Sequence, residues 1–527
     1  MNENNNGESN PWLTMIVVIV GTFMAVLSSS IINVALTKMM TVFGVALDDI
    51  KWVMTAYTLT LGAIIPLTGY LQDVFGAKKV YTFALAIFTI GSGLCGFAWS
   101  NSSMIAFRVF QAIGGGMMQP VGMTIIYSVF PRKKIGLALG VYGIAAMAAP
   151  AIGPTLGGMI IEKLDWRLIF TVNIPIGIIG VLLSMIILKD EPIKAFKSFD
   201  IVGFLSSTIG IVCLLYVIGK GNSINWNDIE NPILVAVGVL SIILFVFNEL
   251  MHPMPLLDLR VLKSFDFTIS LVIISVMTIG LMGGSYIVPL FLQNIRGYTP
   301  MEAGMIMFPS ALIMSFMMPI SGSLFDKFGA KIVAVPGLII LAIGTFMLST
   351  SININSTKGS IIAISCLRNI GLGLAMMPIS SAGLNTIKGE MISRASALNS
   401  TVRQIASSVA VTMMTVIMQS QTNYNYSKLS DQISIYNKSA VDTISALTKS
   451  YMGSGLPQDS VKIAAVSQLA KSIQGQATVD AMAYSISVTG VITIIAIFLT
   501  LFMRRYRVTR KPKDKNDTIE EKVVSVE

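Results

Sequence analysis

The sequence predicts an all-α polytopic membrane protein of fourteen transmembrane helices, arranged as two six-helix bundles with two further helices inserted between them. Three observations carry this expectation. Only 12% of the 527 residues are charged while 54% are apolar, with a mean hydropathy of +0.74, whereas soluble domains carry roughly 25% charge. Apolar runs of about 20 residues, the length that crosses roughly 30 Å of hydrocarbon at 1.5 Å per residue, recur along the chain. Finally, the polar hinge Gly69-Tyr-Leu-Gln-Asp73-Val-Phe-Gly76-Ala-Lys78 returns as Gly322-Ser-Leu-Phe-Asp326-Lys-Phe-Gly329-Ala-Lys331, each position displaced by 253 residues.

The elements follow in order. Residues 1–11 form an N-terminal tail containing Glu3 and Glu8 and an asparagine cluster, with no basic segment. The first span, 12–36, is therefore kept as a membrane helix and not read as a signal peptide. Spans at 50–71, 79–99, 103–129, 135–161 and 167–188 complete a first bundle over 12–190. Spans at 199–219 and 231–250 are the insertion. A second bundle over 266–503 comprises 266–292, 301–324, 332–351, 359–387, 397–419 and 482–503. Its stretch 420–481 is rich in Ser, Asn, Gln and Tyr and reads as an external solvated loop, with one surface helix over 461–470. A basic tail, 504–527, ends the chain. The repeat aligns the first span with the ninth and the hinge after the second with the hinge after the tenth. Two homologous bundles are what an alternating-access carrier requires, since one half can rock against the other around a central site.

With both termini cytoplasmic, Lys78, Lys79, Arg132, Lys133, Lys134, Lys194, Lys197 and the tail from Arg504 to Lys522 all lie inside, as the positive-inside rule demands. The expected location is the cell membrane, plasma or inner. The net charge of +10 resides in short loops and the tail, not on one basic face, which excludes nucleic acid as a partner. Cys95, Cys213 and Cys366 each sit in an apolar run and read as packing residues. No metal-ligand spacing, Ser/Lys dyad, carboxylate cluster or GxxxxGK[ST] loop occurs. The sequence therefore calls for no cofactor or metal, and argues against a membrane enzyme and against ATP-driven export.

The paired hinge, Arg108-Val-Phe-Gln111-Ala-Ile-Gly114 in the fourth span, and Gly143 with Pro150-Ala-Ile-Gly153-Pro154-Thr-Leu-Gly157-Gly158 in the fifth, resemble the major facilitator superfamily. The fourteen-span layout looks like its drug:proton antiporter branch of the QacA and EmrB type. Further matches are Trp52-Val-Met-Thr-Ala-Tyr57, Asp165-Trp-Arg167-Leu-Ile-Phe170-Thr-Val-Asn173-Ile-Pro175 and Pro255-Leu-Leu-Asp258-Leu-Arg260. The resemblance implies a secondary exporter of amphipathic small molecules, a multidrug efflux antiporter driven by the proton motive force. Export of one metabolite, such as an amino-acid derivative, lipid or siderophore, is the alternative, with a membrane enzyme or sensor behind it. Protons, small-molecule substrate and membrane lipids are the expected partners of a monomer. Some exporters of this type work with a periplasmic adaptor in two-membrane bacteria, and the sequence leaves that partner open.

The candidate residues form three groups. Asp73, Arg108 and Asp326 are assigned to proton coupling and state control: a hinge carboxylate can accept from a helix N-terminus or pair with a base in one orientation of the carrier, and an intramembrane arginine is costly unless it finds partners. Arg368 and Arg403 sit within spans in the same way. Gly69, Gly76, Gly143, Pro150, Gly153, Pro154, Gly157, Gly158, Gly322 and Gly329 form the conformational motif, in which prolines remove backbone donors and glycines allow close helix contact. Met24, Ser28, Asn33, Tyr57, Gln111, Met118, Met147, Met282, Tyr286 and Met314 are assigned to a substrate cavity, together with Met117 and Met305, because thioethers and aromatics suit ligands of varied shape. Two departures from the resembled pattern stand out. Val74 replaces a basic residue in the first hinge. Ser28, in Leu27-Ser28-Ser29-Ser30-Ile31-Ile32-Asn33, stands where relatives carry an aspartate, and a hydroxyl cannot exchange a proton near neutral pH as a buried carboxylate can. Coupling is therefore assigned first to Asp73 acting with Arg108, the alternatives being a substrate that itself carries the exchanged proton, or weak coupling.

Overall fold

A computed structural model describes residues 10–190, 199–221, 224–253, 255–431, 433, 438–452 and 458–503. The tails up to residue 9 and from 504, the basic residues Lys194 and Lys197, and the external position Tyr436 lie outside the described residues.

Helix α1 (Pro11–Phe43) starts where the Asn10 side chain accepts from the Trp12 N–H, with proline at its first position, and stops at Gly44 in the left-handed region. After the single turn α2 (Leu47–Ile50), the second span is broken at Pro66 into α3 (Trp52–Ile64) and α4 (Leu67–Phe75), bent by 53°. Proline there removes a ladder hydrogen bond. Then come α5 (Ala77–Gly96), α6 (Asn101–Val129), α7 (Ile135–Lys163), and the sixth span as α8 (Leu168–Thr171) and α9 (Asn173–Ile187). The insertion is α10 (Ile201–Lys220) and α11 (Glu230–Met251). The second bundle is α12 (Phe265–Leu290), α13 (Pro300–Phe328), α14 (Ala330–Ser351), α15 (Lys358–Asn385), α16 (Ile392–Ser430) and α18 (Gln458–Leu501), with α17 (Lys438–Met452) outside it.

Among the described residues twelve helices are long and apolar enough to cross a membrane, and the bent α3/α4 pair makes thirteen. The remaining expected span is α6, whose 29 residues suffice in length. Its strongest polarity is turned inward: Arg108 and Gln111 are both fully buried.

The two hinge copies share one backbone shape. Helix α4 ends at Gly76 (φ 84°) and α13 at Gly329 (φ 83°), conformations that side chains with a Cβ rarely adopt.

The stretch 420–481 differs from the expected solvated loop. Helix α16 continues to Ser430, and α18 starts at Gln458 and runs 44 residues, about 66 Å, twice the hydrocarbon thickness. Apart from glycines at 453, 455 and 475 and Pro457, the stretch has no strong helix breakers. Ordinary helix formers such as Ala, Gln, Lys and Leu extend the flanking spans beyond the bilayer.

The buried apolar residues reveal the state of the molecule. On the hinge side one cluster joins both halves, from Val18, Tyr81 and Leu139 to Phe267, Leu338 and Ala397. On the opposite side the clusters are separate, one around Ile31, Val53 and Phe170 in the first half, the other around Ile287, Leu348 and Ile486 in the second.

Candidate functional site

At the hinge side each half reaches into the other with a carboxylate. Asp326, near the end of α13, accepts from the backbone N–H groups of Gly136 and Leu137, both at 3.1 Å. These are the unpaired donors of the first turn of α7, where the helix dipole also favours an anion. The duplicated Asp73, on α4, makes the mirrored contact with the first turn of α16. The Ser393 hydroxyl donates to its Oδ1 (2.8 Å) and Arg394 Nε to its Oδ2 (2.7 Å). The second motif copy thus uses backbone donors, the first a buried ion pair.

A third carboxylate joins this latch. Arg394 Nη1 also donates to Asp258 Oδ2 at 3.0 Å, and Asp258 belongs to the connector between the insertion and the second bundle. Glu249, fully buried at the end of α11, accepts from the Leu256 and Leu257 N–H groups, turning the connector so that Asp258 meets the arginine. Each of the three ion-pair side chains is 9% exposed or less.

Glycines make the closure possible. A Cβ on Gly322 would strike the Gly136 carbonyl, and one on Gly69 would lie 3.1 Å from Arg394 Cα. On α7 the row Gly136, Gly140 and Gly143 faces α13 and α15: a Cβ on Gly140 would sit 2.5 Å from the Met318 carbonyl oxygen. Gly153 and Gly157 instead face Ser30 and Ile31 of α1, and Gly158 faces Met301 of α13. One helix thus carries separate small-residue contacts for its own half and for the opposite half. Pro154 lacks the N–H that would normally bond the Pro150 carbonyl, and the Ser30 hydroxyl donates to that oxygen at 3.0 Å.

Within the first half, Arg108 of α6 is fully buried. Its Nη1 donates to Ser28 Oγ (3.1 Å) and Gln111 Oε1 (2.7 Å), and Gln111 Nε2 donates to Ser92 Oγ (2.6 Å). The Tyr57 ring lies 3.9 Å below the guanidinium carbon, and its negative face offsets part of the desolvation. Arg108 Nε has no hydrogen-bond partner among the described residues. Ser28→Ala is therefore expected to destabilise the protein by about 1–3 kcal/mol, the cost of leaving a buried donor unpaired. Ser28→Asp, which brings a carboxylate to the same guanidinium, should raise the melting temperature in detergent. Equal melting of both variants and the parent would show that this hydroxyl carries no such contact.

The structure therefore joins Ser28, Tyr57, Gln111 and Arg108 in one cluster. It does not bring Asp73 to Arg108, because Asp73 is engaged with Ser393 and Arg394. Met24, Met117, Met118 and Met314 lie in the buried apolar cluster. Asn33 and Met305 are exposed. Tyr286 shares a hydrogen bond with Thr415 at 3.2 Å, and Met282 is approached by the Ser407 hydroxyl. Met147 alone of the proposed cavity residues lines the gap between the halves, beside Tyr142, Asn399 and Arg403. The sequence reading missed Arg394, Asp258 and Asn399 as site residues. The available signal was that Ser393-Arg394 follows a short polar break between two spans, as the hinge motif does.

Residues 18–411 match the Major Facilitator Superfamily family model. The uncharacterized MFS-type transporter YhcA of Bacillus subtilis is 34% identical over 513 residues, covering 97% of this chain and 96% of that protein. The multidrug transporter protein MdtP of Bacillus subtilis is 29% identical, covering 97% and 96%. The lincomycin resistance protein LmrB of Listeria monocytogenes is 28% identical, covering 75% and 84%. The solved proton:xylose symporter XylE shares the fold at a TM-score of 0.59 and 13% identity, covering 94% of this chain and 96% of that one. Duplicated bundles, reciprocal hinge contacts and this family match agree: the chain is a multi-pass membrane transporter, not an enzyme, and belongs to the Major Facilitator Superfamily.

Proposed function

We propose that the chain is a multidrug-type exporter of amphipathic small molecules, exchanging them for protons by alternating access in the cell membrane. The observation that carries this is the reciprocal latch on the hinge side combined with separate apolar clusters on the other, an arrangement that seals one face while leaving the other ready to part. In this reading both termini and the Arg132–Lys134 turn are cytoplasmic, and the state described faces outward. The bundles over 12–190 and 266–503 rock against each other, and the pair over 199–250 is carried between them. Relatives named for multidrug transport and lincomycin resistance support the efflux direction.

Proton coupling in this reading belongs to the latch. Breaking the ion pair of Asp73 with Arg394, or placing a proton on Asp326 that removes the negative charge from the α7 N-terminus, weakens the contact between the halves. Either change loosens the closed cytoplasmic side and lets the carrier turn inward. The test is accumulation of a panel of amphipathic fluorescent dyes, of both charge signs, in a drug-sensitive host with and without the chain. Lower accumulation that is abolished by an uncoupler is expected. Equal accumulation with and without the chain would overturn efflux, and efflux that ignores the uncoupler would overturn proton coupling.

A further inference from the structure

The gap between the halves lies just beyond the latch, on the membrane side of it, and its lining carries charge of one sign only. Arg403 of α16 enters it nine residues after Arg394. No aspartate or glutamate is among its lining residues, and Arg403 has no carboxylate partner among the described residues. The neighbouring Tyr142 hydroxyl is occupied, donating to the Gln119 carbonyl and sharing a hydrogen bond with Thr22. Asn399, one helical turn from Arg403, is 3% exposed and its buried Oδ1 accepts no hydrogen bond among the described residues. The rest of the wall is mostly apolar, with the thioethers of Met123, Met147, Met318, Met376 and Met377 beside Gly143, Ala146 and Ile274, and two neutral polar residues, Gln119 and Ser380.

A guanidinium held in low dielectric without a counter-charge attracts an anion and repels a cation far more strongly than in water. An unpaired buried acceptor beside it lowers the stability of the empty site and is relieved by an incoming N–H or O–H. Methionine walls accept apolar bodies of differing outline. We propose that this gap is the substrate site and that it selects amphipathic anions. The preferred ligand carries a carboxylate, sulfonate or phosphate for Arg403, a hydrogen-bond donor near that group for Asn399, and an apolar body for the methionines. The proposal rests on the export reading above and narrows it to a substrate class. Because Arg403 and Arg394 share one helix, an anion drawn to the first sits about 13 Å along the helix rise from the latch.

The test is binding to the purified full-length protein in detergent, by equilibrium dialysis, of three radiolabelled probes with the same ring: naphthylacetate, naphthylacetamide and naphthylethylamine. Naphthylacetate should bind at least about tenfold more tightly than either other probe, a difference of about 1.4 kcal/mol. Arg403→Gln should remove that preference, and Arg403→Lys should keep most of it. The parent protein's ranking decides even if Arg403→Gln fails to fold: naphthylethylamine binding as tightly as naphthylacetate overturns the proposal. So does a preference for naphthylacetate that survives in a folded Arg403→Gln protein. No gradient is present in this measurement, so failure of export in cells leaves its outcome intact, and failure of anion preference leaves export intact.

Discussion

Replacing Arg394 by glutamine is expected to part the two halves on the hinge side and to suppress export. The substitution leaves Asp73 and Asp258 buried without the cation that holds both. Removing one partner of a buried pair costs about 3–5 kcal/mol, which is roughly two to three and a half powers of ten in a population ratio. Because the contact exists only while the halves meet, this cost falls on the closed hinge and not on the fold of either half. Spin labels replacing the exposed Phe75 and Phe328 should report a longer distance in the variant. Asp73→Asn, which leaves Arg394 with Asp258, should move the distance the same way by less, with substrate affinity in detergent unchanged. An unaltered distance with normal export would remove the latch from the mechanism.

The second large effect is steric. Gly322→Ala is expected to suppress export strongly, because its Cβ would occupy the place of the Gly136 carbonyl. Backbone cannot yield as a flexible side chain does, so α7 and α13 must separate at their hinge ends. Small residues at membrane helix contacts act by permitting such approach. Gly475→Ala on α18 is the control, since nothing lies within 4 Å of its Cβ position. The Gly322 variant should reach the membrane and melt within a few degrees of the parent while export falls by about tenfold or more. Normal export would show that the two helices need not close here.

The sequence made the architecture legible because hydrocarbon thickness sets span length and duplication leaves a measurable offset. The roles of Asp73 and Asp326 as acceptors at a helix start were likewise readable from their type and place. Their partners were not. Arg394 and Asp258 are ordinary charged residues near span ends, and only folding reveals that chain ends far apart in sequence converge on one guanidinium. The methionines show the opposite limit. Composition marks them as suited to a cavity, but one face of a helix differs from the next by a single residue step, so Met147 lines the gap while Met24 and Met118 fill the core. The 420–481 stretch reads as loop from its polar composition, yet helices α16, α17 and α18 occupy much of it, because a helix needs apolar residues only where lipid or core surrounds it.

Arg394 meets Asp73 across 321 residues and Asp258 across 136. Contacts of such separation are made late when a chain is synthesised from its N-terminus. The first bundle therefore inserts with its Asp73 facing water, and the inserted pair follows with Asp258 equally unpaired. Only when α16 emerges do three portions of chain find their common cation and withdraw from solvent together. A chain interrupted before residue 392 retains the contact of α13 with α7 through Asp326 but lacks the cation for Asp73 and Asp258, so the cluster around Arg394 is the part of the latch that waits for the last helices.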